Sequence, residues 1–325
     1  MYCPAGDFHI DPWRPVPHAI ITHAHADHAR YGSNHYLCYD HSGPILQARL
    51  GKDISIQTMP FGESLDINGV KISLHPAGHI PGSAQVRVEH KGQVWVAAGD
   101  YKTEDDGFCA PFEAVPCHCF ITESTFGLPV YRWQPQELVM QQVRDWWQAN
   151  AAVGMASVLV AYSLGKAQRL LAHLSNGPGP IFTHGAVENM NQVLREIGYL
   201  LPETIQVTAG HKKQDFRKAL IIAPPAAAGS AWMRKMQPYS LAMASGWMGL
   251  RGARRRRAAD RGFVLSDHAD WTGLNAAVDA TGAERVIVTH GYQAAFARWL
   301  KERGIPAIEE KTLFAGEEAK EEPEE

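Results

Sequence analysis

The stretch "IITHAHADH" (residues 20–28) constrains this chain more than any other. Three histidines and an aspartate crowd into six residues, one Thr after two β-branched aliphatics. Burying one polar group without a partner costs about 2–7 kcal/mol, so four of them at the end of a buried strand need a common partner. In an extended segment residues two apart point the same way, so His23 and His25 face one point. Asp27 and His28 follow as the chain turns towards a helix, and they serve a second point nearby. Imidazole with carboxylate suits zinc, or manganese and iron in the same geometry.

Four residues cannot complete two metal shells, so the fold must deliver more ligands to the same place. His79 lies in the Gly/Pro-rich loop "HPAGHIPGS", Asp100 ends the strand-like "VWVAAGD", and His290 ends "VIVTH". A lone histidine at a strand end is ordinarily just hydrogen-bonded. Taken jointly and in this order, the three mark strand ends that must converge on "HAHADH". Asp100 can bridge two ions.

The rest of the sequence supports a globular enzyme. The chain is 45% hydrophobic and 20% charged with nine Trp, and no run approaches the roughly 20 apolar residues of a membrane span. The opening "MYCPAGDFHIDPW" lacks a basic region followed by an apolar run, which points to the cytoplasm. Cys3, Cys38, Cys109, Cys117 and Cys119 form no paired framework, and "CHC" has no second ligand pair for structural zinc, so reduced thiols are expected. The net charge of −3 argues against a polyanion binder until the end "EEAKEEPEE" (317–325) is set aside. That segment carries −5, which leaves +2 on the remainder, and it is expected to be disordered.

Elements alternate along the chain. "HAIIT", "VKISLH", "AQVRVEH", "QVWVAAGD" and "CFITES" read as short strands bounded by turn residues. From about 135 "QPQELVMQQVRDWWQANAA" has apolar residues at helical spacing after a Pro start. "SVLVAYSLGKAQRLLAHL", "GPIFTHGAVENMNQVLREIG" and "AERVIVTHGYQAAFARWLKERG" each read as strand then helix, the grammar of a parallel α/β unit. An α/β insert over 128–261 is expected inside a domain made of 1–127 and 262–316.

This order of motifs resembles the metallo-β-lactamase superfamily, whose fold is a four-layer αβ/βα sandwich with a dinuclear site along one edge. The resemblance implies that His23, His25, His79 and Asp100 hold one ion, and that Asp27, His28, His290 and bridging Asp100 hold the other. Asp11, ending "FHID", matches the family's first acidic motif, which buttresses the ligand loop. Glu123 in "ITESTFG" and His268 in "VLSDHADW" look like motifs A and B of the β-CASP nucleases, which carry an inserted α/β domain at this position, and His290 fits their motif C. The pre-mRNA 3′-end endonuclease and RNase J share that last histidine; the crosslink-repair exonucleases and Artemis lack it. At finer grain "YCPAGDFHIDPWRPV", "ITHAHADHAR", "FTHGAVE", "APPAAAGS", "ASGWMGLRGARRRRAADRGFVLSDHADW" and "VTHGY" are similar to bacterial ligase-associated DNA exonucleases over about 1–316. No motif position is substituted, which disfavours a dead scaffold.

The resemblance implies phosphodiester hydrolysis with two divalent ions, zinc or manganese. It implies a DNA substrate, single-stranded or with free ends, 5′→3′ exonuclease action in repair, and association with an ATP-dependent DNA ligase and a helicase. Asp27 and Asp100 would hold the nucleophile and the ions. His268 would protonate the leaving oxygen or grip the phosphate, with Glu123 orienting it and favouring its charged form. Lys166, at a helix start that is not a P-loop, is either a phosphate contact or a solvated lysine. Arg254 and Arg255 belong to "RGARRRR", five arginines in seven residues, which either contact phosphates or pair internally. Ser230 offers a hydroxyl beside Trp232, itself a stacking surface or core. Three rival functions remain: a ribonuclease of the same branch, told apart by the 2′-hydroxyl; a thioester or lactam hydrolase, which needs no Glu123–His268 pair; and a non-catalytic nucleic-acid-binding subunit, told apart by metal content.

Overall fold

Alternation of apolar and polar residues in the first third of the chain becomes strand wherever one face is covered. In the computed structural model, which describes residues 1–250 and 259–310, β1 (Tyr2–Cys3), β2 (Phe8–Ile10), β3 (His18–Ile20), β4 (His35–Tyr39) and β5 (Ile56–Met59) form one sheet in that order. Helix α1 (Ser42–Leu50) connects β4 to β5. β1 and β2 pair antiparallel, and the remaining neighbours are parallel. β6 (Ser64–Ile67), β7 (Val70–Pro76), β8 (Ala84–His90), β9 (Gln93–Ala97) and β10 (Cys119–Glu123) build a second sheet.

The middle of the chain holds α2 (Gln136–Ala152), β11 (Ala156–Val160), α3 (Lys166–His173), β12 (Ile181–Thr183), α4 (Gly185–Glu196), β13 (Ile205–Gln206), β14 (Leu220–Ala223), β15 (Tyr239–Ala244) and β16 (Arg261–Phe263). The chain then returns through α5 (Trp271–Thr281), β17 (Arg285–Thr289), α6 (Gln293–Glu302) and β18 (Ala307–Glu309). Among the described residues two compact units result: 1–132 with 268–310, and 133–250 with 259–267.

In the first unit the seven-stranded order is β18-β17-β10-β9-β8-β7-β6. Val70, Ile72 and Leu74 on β7 and Val86 on β8 pack against Phe8, Ile10, Ile20 and Leu37, so the two sheets face each other across one core. Each such side chain contributes roughly 1.5–3 kcal/mol of burial. On the other face Leu274, Ala277 and Val278, at helical spacing on α5, join Phe296, Ala297 and Leu300 of α6 over Val96, Phe120, Val286 and Val288. Asp270 starts α5 by accepting the Gly273 amide at 2.7 Å, a side-chain cap worth about 1 kcal/mol.

The strands β9, β10, β17 and β18 run parallel. Their carboxyl ends therefore lie along one rim, where open α/β sheets gather functional residues.

The second unit is a six-stranded, all-parallel sheet ordered β13-β12-β14-β11-β15-β16. Every residue of β11 is buried, the near-continuous apolar run expected of a central parallel strand. Val139, Met140, Val143, Trp146 and Trp147 form the covered stripe of α2. This unit continues past the boundary expected at 261. The physical reason is β16, whose Arg261–Phe263 pairs with Ala242–Ala244 of β15. The acidic segment 317–325 lies outside the described residues. No disulfide links the cysteines, and Cys38, Cys109, Cys117 and Cys119 are buried. No helix among the described residues is long and apolar enough to cross a membrane.

Candidate metal centre

The rim of the first unit collects the histidines and aspartates. β3 ends at Ile20, and the chain then runs through Thr22 into His23, His25, Asp27 and His28. His79 sits in the turn after β7, where Ser83 Oγ accepts the amides of His79 and Ile80 at 3.1 and 3.2 Å. Gly78 (φ +74°) makes that turn possible, since a Cβ there would lie 2.2 Å from the Lys102 carbonyl oxygen. Asp100 follows β9, Glu123 closes β10 and His290 follows β17. His290 adopts φ +54°, and its carbonyl accepts the Ser124 hydroxyl.

Potential ligand atoms of His23, His25, His79 and Asp100 lie within 4.8 Å of one another, and so do those of Asp27, His28 and His290. Asp100 touches both groups: its Oδ2 lies 3.6 Å from His23 Nε2 and 3.5 Å from His28 Nε2. His25 Nδ1 and His79 Nε2 approach to 3.1 Å. All seven side chains are buried, at 6% exposure or less. Yet His23 Nε2, both Asp27 carboxylate oxygens and Asp100 Oδ1 are buried without a hydrogen-bond partner among the described residues. Buried acceptors left open cost about 1–3 kcal/mol each. Buried nitrogen and carboxylate donors gathered in this way could hold divalent metal ions.

Electrostatics agree with that donor set. Burial, reinforced by neighbouring His28, pushes His23 well below the usual imidazole range, and burial likewise lowers His290 despite Asp100. A neutral imidazole is the form that binds metal. For Asp100 burial opposes ionisation, but His28, by charge and hydrogen bond, holds the carboxyl well below its usual range. His28 is the exception: burial disfavours its charge, but Asp100 and Asp11 outweigh it and raise the group.

Asp11 is not at the cluster's ligand face. It is 1% exposed with φ +44°, accepts the Thr22 amide and hydroxyl at 2.8 and 2.6 Å, and meets His28 Nδ1 at 2.7 Å. Glu123 is fully buried. Its two oxygens lie 3.0 and 2.9 Å from His268 Nδ1, and Oε1 also accepts the Tyr101 amide at 2.8 Å. The His268 ring lies 4.6 Å from that of His79, and Asp100, Glu123 and His268 bring ligand-type atoms within 4.8 Å of one another.

The expected substrate contacts fare differently. Lys166 is 1% exposed, with Nζ 3.6 Å from Asp267 and 5.0 Å from the Tyr162 ring centre. This corrects the reading of Lys166 as a solvated lysine, because its ammonium is buried against Asp267. Ser230 Oγ donates to the Ala227 carbonyl at 2.7 Å, closing a turn. Trp232 is half-buried, its ring 4.9 Å from that of His184. Arg254 and Arg255 lie outside the described residues.

Sequence reasoning missed the groups that hydrogen-bond the rim side chains or their backbone: Thr22, Ser83, Tyr101 and Thr289. A signal exists for two of them, since Thr immediately precedes a rim histidine in both "ITHAH" and "VTHGY".

No protein-family model matches the chain. It is 31% identical over 314 residues to a "Probable DNA ligase" of Opitutus terrae, covering 94% of this chain and 30% of that protein. It is 29% identical over 140 residues to "Endoribonuclease YSH1" of Eremothecium gossypii, covering 39% of this chain and 18% of the relative. Over 119 residues it is 30% identical to "Cleavage and polyadenylation specificity factor subunit 3-I" of Arabidopsis thaliana, covering 36% and 17%. The chain thus spans less than a third of the length of each. Among solved structures, a protein of unknown function from Enterococcus faecalis aligns with a TM-score of 0.58 at 10% identity, covering 83% of this chain and 74% of that one, a likeness of fold alone.

Proposed function

We propose that the protein is a metal-dependent nuclease of the metallo-β-lactamase superfamily, with a four-layer αβ/βα domain and a β-CASP-like insert, that hydrolyses DNA phosphodiesters. The observation that carries this reading is the rim: seven buried His and Asp side chains, of which His23, Asp27 and Asp100 keep acceptors open among the described residues. Similarity over nearly the whole chain to a protein named as a DNA ligase supports a DNA substrate and a working association with a ligase; association with a helicase and a place in cytoplasmic repair belong to the same proposal. Exonuclease action from a 5′ end on single-stranded or end-containing DNA is part of the same proposal.

His23, His25, His79 and Asp100 would hold one ion; Asp27, His28 and His290 would hold the other, with Asp100 between them. When bound, zinc or manganese supplies positive charge to the phosphoryl oxygens and acidifies the attacking water. Asp27, with its two open oxygens, accepts a hydrogen bond from that water and orients it. His268 gives a proton from Nε2 to the leaving oxygen, because its Nδ1–H is engaged by Glu123. Glu123 in turn is held by the Tyr101 amide, which keeps the imidazole aimed. General acid catalysis of this kind contributes about 10²- to 10⁴-fold.

The endoribonuclease names of the partial relatives favour a second reading, cleavage of RNA by the same residues. A time course on DNA and RNA strands labelled at either end, with zinc or manganese added to metal-free protein, decides between them. Shortening of DNA from its 5′ end is expected. Cleavage of RNA alone would replace the DNA proposal with the ribonuclease, and no cleavage of either with metals bound would remove both.

A further inference from the structure

Two hydroxyl groups beside the rim decide where the imidazole protons sit. The Thr22 hydroxyl has one hydrogen, and it is donated to Asp11 Oδ2 at 2.6 Å. At 3.1 Å from His23 Nδ1 its oxygen can therefore act only as an acceptor, so the His23 proton must reside on Nδ1. That leaves Nε2 as a lone pair aimed at the cluster, where it is buried and open. The same logic holds across the rim. Thr289 donates its hydroxyl to the Thr122 carbonyl at 3.0 Å and must accept from His290 Nδ1 at 3.1 Å.

The relay through Thr22 reaches further than that through Thr289. Asp11 Oδ2, which takes the Thr22 hydroxyl, also takes His28 Nδ1 at 2.7 Å. One buried carboxylate thus supports one imidazole in each ligand group, His28 directly and His23 through a hydroxyl. The chain is packed to keep it so: a Cβ on Gly99 (φ +60°), the residue before Asp100, would lie 2.7 Å from Thr22 Oγ1 and 2.8 Å from its Cβ. We propose that Thr22 is a positioning residue of the metal centre, locking the His23 proton on Nδ1 so that Nε2 is offered to a divalent cation, and that Asp11 couples the two ion sites through this hydroxyl. This rests on the metal reading above and adds to it residues that touch no ion.

The test uses full-length protein and zinc alone. Wild-type protein is expected to hold about two equivalents. Thr22→Val removes the hydroxyl at nearly constant volume and should weaken one zinc by about 10- to 100-fold in competition with a chromogenic chelator, the usual cost of losing such a support, while the other stays. Thr22→Ser should restore both. Asp11→Asn should weaken both. A Thr22→Val protein that holds two zincs as tightly as wild type overturns the relay while leaving the metal reading intact; wild-type protein without zinc overturns both. Should Thr22→Val not fold, ¹H–¹⁵N correlation of the histidine rings in metal-free wild type still decides the matter. His23 and His290 as Nδ1–H tautomers support the relay, and His23 as the Nε2–H tautomer overturns it.

Discussion

Arg169 in the second unit is 4% exposed, and its guanidinium is answered inside that unit. Nε donates to Gln136 Oε1 at 2.6 Å, and Nη1 donates to the Ser266 carbonyl at 2.6 Å and to Asp267 Oδ1 at 3.1 Å. Asp267 Oδ2 meets Lys166 at 3.6 Å. Nearby on α4, Glu188 accepts from Thr183, Thr204, Asn191 and Arg195, and Gln168 donates to Asn191. The rim of the first unit also buries polar groups, but His23, Asp27 and Asp100 keep acceptors that no protein group answers among the described residues. Burial of charge is common to both regions, so burial alone is no sign of function. Unanswered acceptors gathered at one point are the better sign: a cluster that closes on itself braces a fold, while several open acceptors brought together call for a further partner.

The contrast can be broken at four points. Asp100→Asn removes a charge common to both ligand groups. Cleavage should fall to background and bound zinc below one equivalent by elemental analysis; retention of two equivalents would refute the bridging role. His268→Ala should lose about 10²- to 10⁴-fold in cleavage rate with both metals retained. Full activity of this variant would eliminate the proton-donor role.

Asp267→Ala should do the reverse. It strands two buried cations, which costs about 3–5 kcal/mol of stability, seen as a lowered urea midpoint, while the zinc content of the folded protein stays as in wild type. An unchanged midpoint would show that the closed cluster does not brace the second unit.

The smallest effect concerns acid stability. Burial raises the Glu188 carboxyl, but hydrogen bonds from Thr204, Thr183, Arg195 and Asn191 outweigh it and hold the group below its usual range. A depressed native pKa contributes stability that is present above the unfolded value, near 4.3, and is lost as pH falls through the native one. Glu188→Gln should therefore flatten the loss of stability below about pH 4.3, measured by urea unfolding across pH. A slope equal to wild type would place the acid sensitivity elsewhere.

Much of this was legible in one dimension. Strand-end residues could be placed because a parallel sheet aligns carboxyl termini, so Asp100 and His290, each just past an apolar run, had to come to one edge. "HAHADH" needed only the two-residue period of extended chain. The boundary after the insert was missed because Arg261–Phe263 is too short and too polar at its start to read as a strand; only pairing with β15 makes it one. Lys166 was misjudged for a related reason. A lysine at a helix start looks solvated until Asp267, about a hundred residues on in the sequence, is folded against it.

The tripeptide Thr-His-Gly occurs twice, at 183–185 and 289–291, each time at the end of a parallel strand. Sequence determined the residue types, their places at strand ends and the donor chemistry they carry, because those follow from local period and composition. It could not separate the two copies. In the first, Thr183 donates to Glu188, and His184 accepts the Ala186 amide as a helix cap while packing on Trp232. In the second, Thr289 donates to Thr122, and His290 turns into the rim beside Asp27 and His28. Which carboxylate stands opposite a histidine is set by strands far apart in the chain, and only their pairing decides it.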